Sequence, residues 1–121
     1  MGLTPHFSTL PGDYKNDAYS EYNWYLLTGV NTFSAANTFT SIFKEMKLGK
    51  IIGQKTGGGA ASILPVVLPD GTSIVISSNN LSVTMKNNTI KSIEGGIKPD
   101  IYLEYKDFYN DQKLLEIIKN K

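Results

Sequence analysis

The stretch Tyr25-Leu26-Leu27-Thr28-Gly29-Val30-Asn31-Thr32-Phe33-Ser34-Ala35-Ala36 decides the fold. It opens on an apolar run, Tyr25-Leu26-Leu27, closed by Gly29, and a short turn, Asn31-Thr32-Phe33, leads to Ser34. A helical pattern then takes over, with Phe39, Ile42, Phe43 and Met46 at i, i+3, i+4 and i+7. This predicts a buried strand over 24–30 and a helix over 34–48, with Gly49 just past its end. Lys50-Ile51-Ile52-Gly53 reads as a second short strand. Strand, helix, strand with a long helix between requires a parallel pair and a right-handed crossover.

Ser34 at that turn has two readings. Serine is a preferred N-cap, so the side chain can simply close the helix start. It also follows the C-terminal end of a strand, where α/β sheets place their sites. There its hydroxyl sits near unpaired helix N–H groups whose partial positive charge favours a developing anion.

Bulk properties narrow the function classes. The 121 residues suit one small domain, and 40% hydrophobic with 19% charged residues fits a globular fold. A formal charge of +1 points to neither nucleic acid nor an anionic membrane as partner. With no cysteine there is no disulfide framework, thiolate nucleophile or Cys-based zinc site, and His6 alone makes no His-rich metal site. No apolar run approaches the roughly 18 residues that span a bilayer. The first residues lack the basic-then-apolar order of a signal peptide, which leaves the compartment open.

Around this unit the chain punctuates itself. Residues 1–23 are irregular, broken by Pro5 and Pro11-Gly12 and dotted with Phe7, Tyr14, Tyr19 and Tyr22, and read as an N-terminal arm. The arm allows a short helix around 17–22, and His6 reads as an arm residue without a role. After the second strand, residues 54–62 hold Thr56-Gly57-Gly58-Gly59. Three glycines permit positive φ and close backbone approach, so the segment is either a flexible connection or a site-lining loop. It lacks the Lys-Ser/Thr of a phosphate loop and the third position of a dinucleotide fingerprint. Runs 63–69 and 72–78 meet at Asp70-Gly71, a hairpin signal. Strands are predicted over 81–86, 90–93 and 101–105, with a turn at Asn87-Asn88, and a helix over 106–119 with Leu114, Leu115, Ile117 and Ile118 as its apolar stripe. No repeat or low-complexity linker divides residues 24–121.

The ordered set is more specific than its parts. Thr32-Phe33-Ser34-Ala35-Ala36, Ile52-Gly53-Gln54-Lys55-Thr56-Gly57-Gly58-Gly59, Leu68-Pro69-Asp70-Gly71 and Gly96-Ile97-Lys98-Pro99-Asp100-Ile101 resemble the C-terminal half of the catalytic domain of the C-terminal-processing (tail-specific) serine peptidases, family S41. The resemblance covers about 24–105. It implies a fragment of a crotonase/ClpP-like ββα domain: α/β, with a mixed sheet, a β-hairpin and a C-terminal helix. It also implies a peptide or protein substrate, no cofactor, no metal, and Ser34 as nucleophile.

One branch of that family uses a Ser–Lys dyad, with the lysine in a Thr-x-Gly-Lys-Gly loop. Here Gly59 fills the lysine position and Lys55 lies out of register. The tricorn-like branch instead has a Gly-rich loop and uses Ser, His and a downstream Glu just before Gly-x-x-Pro-Asp, the position of Glu94. A serine hydroxyl needs a base near neutral pH, histidine is the natural one, and a carboxylate orients it. The resemblance thus implies Ser34 and Glu94 as catalytic residues. It implies the Ala35 N–H as an oxyanion donor, with Thr56, Gly57, Gly58 and Gly59 lining the site. Glu94 read alone is a surface turn carboxylate.

The sequence departs from that branch in three ways. The family histidine lies well before the serine, and His6 stands too near. The upstream Asp-x-Arg-x-Asn-x-Gly-Gly segment is missing, and Asn37 replaces an acidic residue common three places after the nucleophile. The expectation is a fragment whose base belongs to an upstream part of a parent peptidase. The alternative is a catalytically inactive relative, a peptide-binding or assembly module. An exposed sheet edge favours homo-oligomers in either case.

Overall fold

A computed structural model describes residues 21–86 and 89–120. Most of the predicted arm, with His6, the helix allowed around 17–22 and the turn at Asn87-Asn88, lies outside the described residues. The elements run β1 (Trp24–Thr28), α1 (Ala35–Glu45), β2 (Gly49–Gly53), β3 (Ala61–Val67), β4 (Ser73–Leu81), β5 (Val83–Lys86), β6 (Thr89–Ser92), β7 (Ile101–Tyr102) and α2 (Asp111–Lys119).

The strand, helix, strand order holds, but the strand predicted as buried over 24–30 ends at Thr28, and of its residues only Thr28 is buried. β1 and β2 pair in parallel from Trp24↔Gly49 to Thr28↔Gly53, and β7 adds in parallel to the other side of β2 through Ile52↔Ile101. β2 is therefore central, and its Ile51 and Ile52 are buried with Phe43, Ile93 and Leu103. Asp100 pins the entry to β7: its N–H donates to the Ile51 carbonyl at 2.8 Å, and its Oδ2 accepts from the Ile51 N–H at 3.0 Å. Lys44 of α1 reaches the same carboxylate at 3.3 Å. Partial burial pushes the Asp100 carboxyl up, but the Ile51 amide and the Lys44 ammonium outweigh it and hold the pKa below the ordinary value.

Helix α1 differs from its predicted form at its end. It stops at Glu45 rather than 48, and Lys47 takes the left-handed conformation (φ 53°) that sequence had given to Gly49. The Lys47 N–H donates to the Lys44 carbonyl and the Leu48 N–H to the Phe43 carbonyl, a Schellman closure that satisfies the last carbonyls. Gly49 begins β2 instead, where a Cβ would run into the Trp24 carbonyl and lie 2.9 Å from the Phe43 ring. Of the apolar stripe only Phe43 is buried, while Phe39, Ile42 and Met46 remain 53%, 41% and 54% exposed. The inward face is largely polar: Asn37, Thr40 and Ser41.

The remaining strands form two separate antiparallel ribbons, β3–β4 and β5–β6, so the predicted mixed sheet is divided among three sheets. The Asp70-Gly71 signal is met by a turn over 68–72, in which the Leu68 N–H donates to the Thr72 carbonyl at 2.8 Å. Asp70 Oδ1 accepts from the Thr72 N–H at 2.9 Å. That bond and the Thr72 hydroxyl lower its pKa. β7 is shorter than predicted, ending at Tyr102. A 3-10 turn at Tyr105–Asp107 precedes α2. The helix predicted over 106–119 begins only at Asp111 because Asn110 caps it, its side chain accepting from the Lys113 N–H at 3.1 Å. None of its apolar stripe is fully buried.

Candidate active site

Phe33, Ser34, Ala35 and Ala36 form a tight turn closed by the Ala36 N–H to the Phe33 carbonyl at 3.2 Å. Ser34 holds φ 56° and ψ −118°, the first central position of a type II′ turn, where glycine dominates. A side chain there is strained, by an amount of order 1–3 kcal/mol. Ser34 stands at the N-cap position but its side chain makes no capping bond. The capping reading is thereby replaced: Ser34 is exposed and its hydroxyl caps nothing. The Ser34 carbonyl accepts from the Thr38 N–H at 3.0 Å, the first helical bond. The Ala35 N–H is among the orphan donors at the helix start.

The Gly-rich loop runs alongside this turn. Ser34 N–H donates to the Gly58 carbonyl and Gly57 N–H to the Thr32 carbonyl, each at 2.9 Å, and Phe33 pairs with Gly58 in a parallel bridge. This bridge keeps the sequence offset of the β1–β2 ladder, so the loop is an ordered continuation of the parallel pairing and not a flexible connection. Gly58 and Gly59 hold φ of 83° and 78°, and a Cβ on Gly58 would strike the Glu94 carbonyl.

Glu94 meets the same loop from the other side. Its carboxylate Oε2 accepts from the Ala60 N–H at 2.6 Å, and its carbonyl accepts from the Gly59 N–H at 3.3 Å. The turn of Glu94 is itself closed by the Gly96 N–H to the Ile93 carbonyl. Ser34 and Glu94 are thus brought to opposite flanks of one short segment, Gly58-Gly59-Ala60.

Beneath lies a polar cluster that sequence reasoning noted only as a departure. Asn37, wholly buried, donates from Nδ2 to the Ile93 carbonyl at 3.0 Å and accepts at Oδ1 from the Thr56 hydroxyl at 2.6 Å. Thr56 Oγ1 in turn accepts from the Ile97 N–H at 2.6 Å. Thr56 therefore does not line an open site; it is 3% exposed and works from below. The one sequence cue was the placement of Asn37, a turn of helix beyond Ser34.

At the C-terminal end of β1 a recess of about 260 Å³ is lined by Leu27, Val30, Thr32, Tyr105, Phe108 and Tyr109, among others. A wider concavity of about 590 Å³ lies at the opposite ends of β1 and β2, away from Ser34. Among the described residues no group of three His, Cys, Asp or Glu side chains could hold a metal ion, and no described helix is long and apolar enough to cross a membrane.

The family model of peptidase family S41 matches residues 8–103. No curated protein is a significant match. Solved structures do match. The tricorn protease has a TM-score of 0.61 at 23% identity, over 81% of this chain and 10% of its own. The photosystem II D1 C-terminal processing protease has 0.59 at 23%, over 78% and 24%. A Parabacteroides merdae protein provisionally assigned as a peptidase has 0.58 at 22%, over 80% and 32%. At these identities the likeness is one of fold, and the chain spans a third or less of each of those structures. The family match covers most of the sequence, and the chain belongs to peptidase family S41.

Proposed function

We propose that this chain carries the nucleophile and acid of a serine-peptidase site of the tricorn-like type, acting on peptide or protein substrates. In this reading Ser34 attacks the scissile carbonyl, and the Ala35 N–H donates to the oxyanion. Glu94, held at the loop by Ala60, orients and stabilises an imidazolium. The observation that carries the reading is the Ser34 backbone. A serine in a strained strand-to-helix turn, with its hydroxyl exposed and uncommitted, is how nucleophile elbows present their oxygen. A structural serine has no need of that strain.

The base is the missing part. The chain's one histidine, His6, stands nearer the serine than the histidine of the tricorn-like branch; in this reading the imidazole is supplied from outside these residues and the chain alone hydrolyses little or nothing. The second reading, a catalytically inactive module that binds peptides or assembles, is favoured by that same single histidine.

Free imidazole separates the two. It is added at tens of millimolar to the purified chain with an activated ester, and the rate of Ser34→Ala is subtracted. The peptidase reading expects a Ser34-dependent rate that rises with imidazole and drops roughly tenfold or more in Glu94→Gln. Identical imidazole dependence in the native chain and Ser34→Ala leaves the inactive module. Hydrolysis of peptides by the chain alone, abolished in Ser34→Ala, overturns the claim that the base lies elsewhere.

A further inference from the structure

We propose that Asn37 is a positioning residue of this site, setting the height of Glu94 and of the glycine loop relative to Ser34; the inference rests on the peptidase reading above. Asn37 lies on α1, the helix that Ser34 opens, and is wholly buried. Its two amide ends do different work. Nδ2 donates to the carbonyl of Ile93, the residue before Glu94, and Oδ1 accepts a hydrogen bond from the Thr56 hydroxyl, just before the three glycines.

Thr56 completes the clamp. Its hydroxyl accepts from the Ile97 N–H, and its own N–H donates to the Ile97 carbonyl at 3.0 Å. The turn carrying Glu94 is therefore fastened on both sides, at Ile93 by Asn37 and at Ile97 by Thr56, and both fastenings run back to one helix. An amide meets both needs at this position, one donor and one acceptor. An ionised carboxylate cannot donate to the Ile93 carbonyl, and an apolar side chain would leave that carbonyl and the Thr56 hydroxyl buried without one partner each. With Asn37 in place, no buried polar side-chain atom among the described residues lacks a partner.

Amide hydrogen exchange on the full chain tests this without needing catalysis. In Asn37→Ala the N–H groups of Gly59 and Ala60, both given to Glu94, should exchange roughly tenfold or more faster, while the β1–β2 ladder amides keep their protection. Thr56→Val should loosen the same two amides, and Thr56→Ser, which keeps the hydroxyl, should restore them. These variants decide the question if Asn37→Ala does not fold. The imidazole-dependent rate at Ser34 should fall in kcat with KM little changed. Unaltered exchange at Gly59 and Ala60, or equal acceleration of every amide, refutes a positioning role. A native chain with no Ser34-dependent rate but the expected exchange pattern refutes the peptidase reading and leaves the clamp standing.

Discussion

The serine end of the molecule and the β3–β4 ribbon are built on opposite terms. Around Ser34 the apolar Ala60 and Ile93 are buried, and backbone groups pair between segments: Thr32 with Gly57, Ser34 with Gly58, Gly59 with Glu94, Thr56 with Ile97. Asn37 and Thr56 are buried there. The ribbon is rich in apolar residues, with Leu64 opposite Ile76 and Val66 opposite Ile74, and almost all of it is exposed. A lone two-stranded ribbon is marginally stable in water. Apolar content alone thus does not mark the packed part of this chain; the serine end adds paired backbone and a buried amide, and the ribbon buries almost none of its apolar residues.

Glycine substitutions at the two ends should break the comparison most sharply. Gly58 and Gly71 both hold positive φ, 83° and 86°, but a Cβ on Gly58 would strike the Glu94 carbonyl whereas one on Gly71 meets nothing within 4 Å. Gly58→Ala should therefore cost about 3 kcal/mol or more in a urea melt. Gly71→Ala should cost only the left-handed backbone term of about 1 kcal/mol. Equal losses would mean that the loop yields as freely as the hairpin turn.

Ser34→Gly should move stability the other way. Glycine suits the II′ position, so relief of strain should raise stability by about 1 kcal/mol while removing every Ser34-dependent rate. A destabilised Ser34→Gly would show that the serine backbone is relaxed. On the ribbon, Val75→Lys changes a residue 61% exposed. It should shift stability by no more than about 0.5 kcal/mol and reduce any self-association seen by light scattering. A large loss of stability there would show that the ribbon packs as firmly as the serine end.

The periods of the sequence were good guides to elements and poor guides to faces. Trp24 to Gly53 could be read as strand, helix and strand because hydrophobic spacing reports local geometry directly. The same spacing gathers Phe39, Ile42, Phe43 and Met46 on one face, yet the structure buries only Phe43 of these, beside Asn37, Thr40 and Ser41. Spacing identifies an apolar stripe but not what covers it. Gly49 was misread as a helix end because a lysine took the left-handed position, which composition does not foretell. The neighbourhood of Ser34 and Glu94 with the glycines was legible only through the ordered motif set. Asn37 was not legible as a clamp, since its partners are carbonyl and hydroxyl groups far along the chain that leave no pattern in sequence.

The bridge between Phe33 and Gly58 carries a constraint on how this chain can vary. Because it repeats the ladder's offset, the connection after β1 and the connection after β2 must hold the same number of residues to stay abreast. An insertion in one shifts the serine past its glycine neighbour unless the other gains a residue too. Drift in length should therefore be tolerated at the hairpin tip over 68–72, and at these two crossings only when matched.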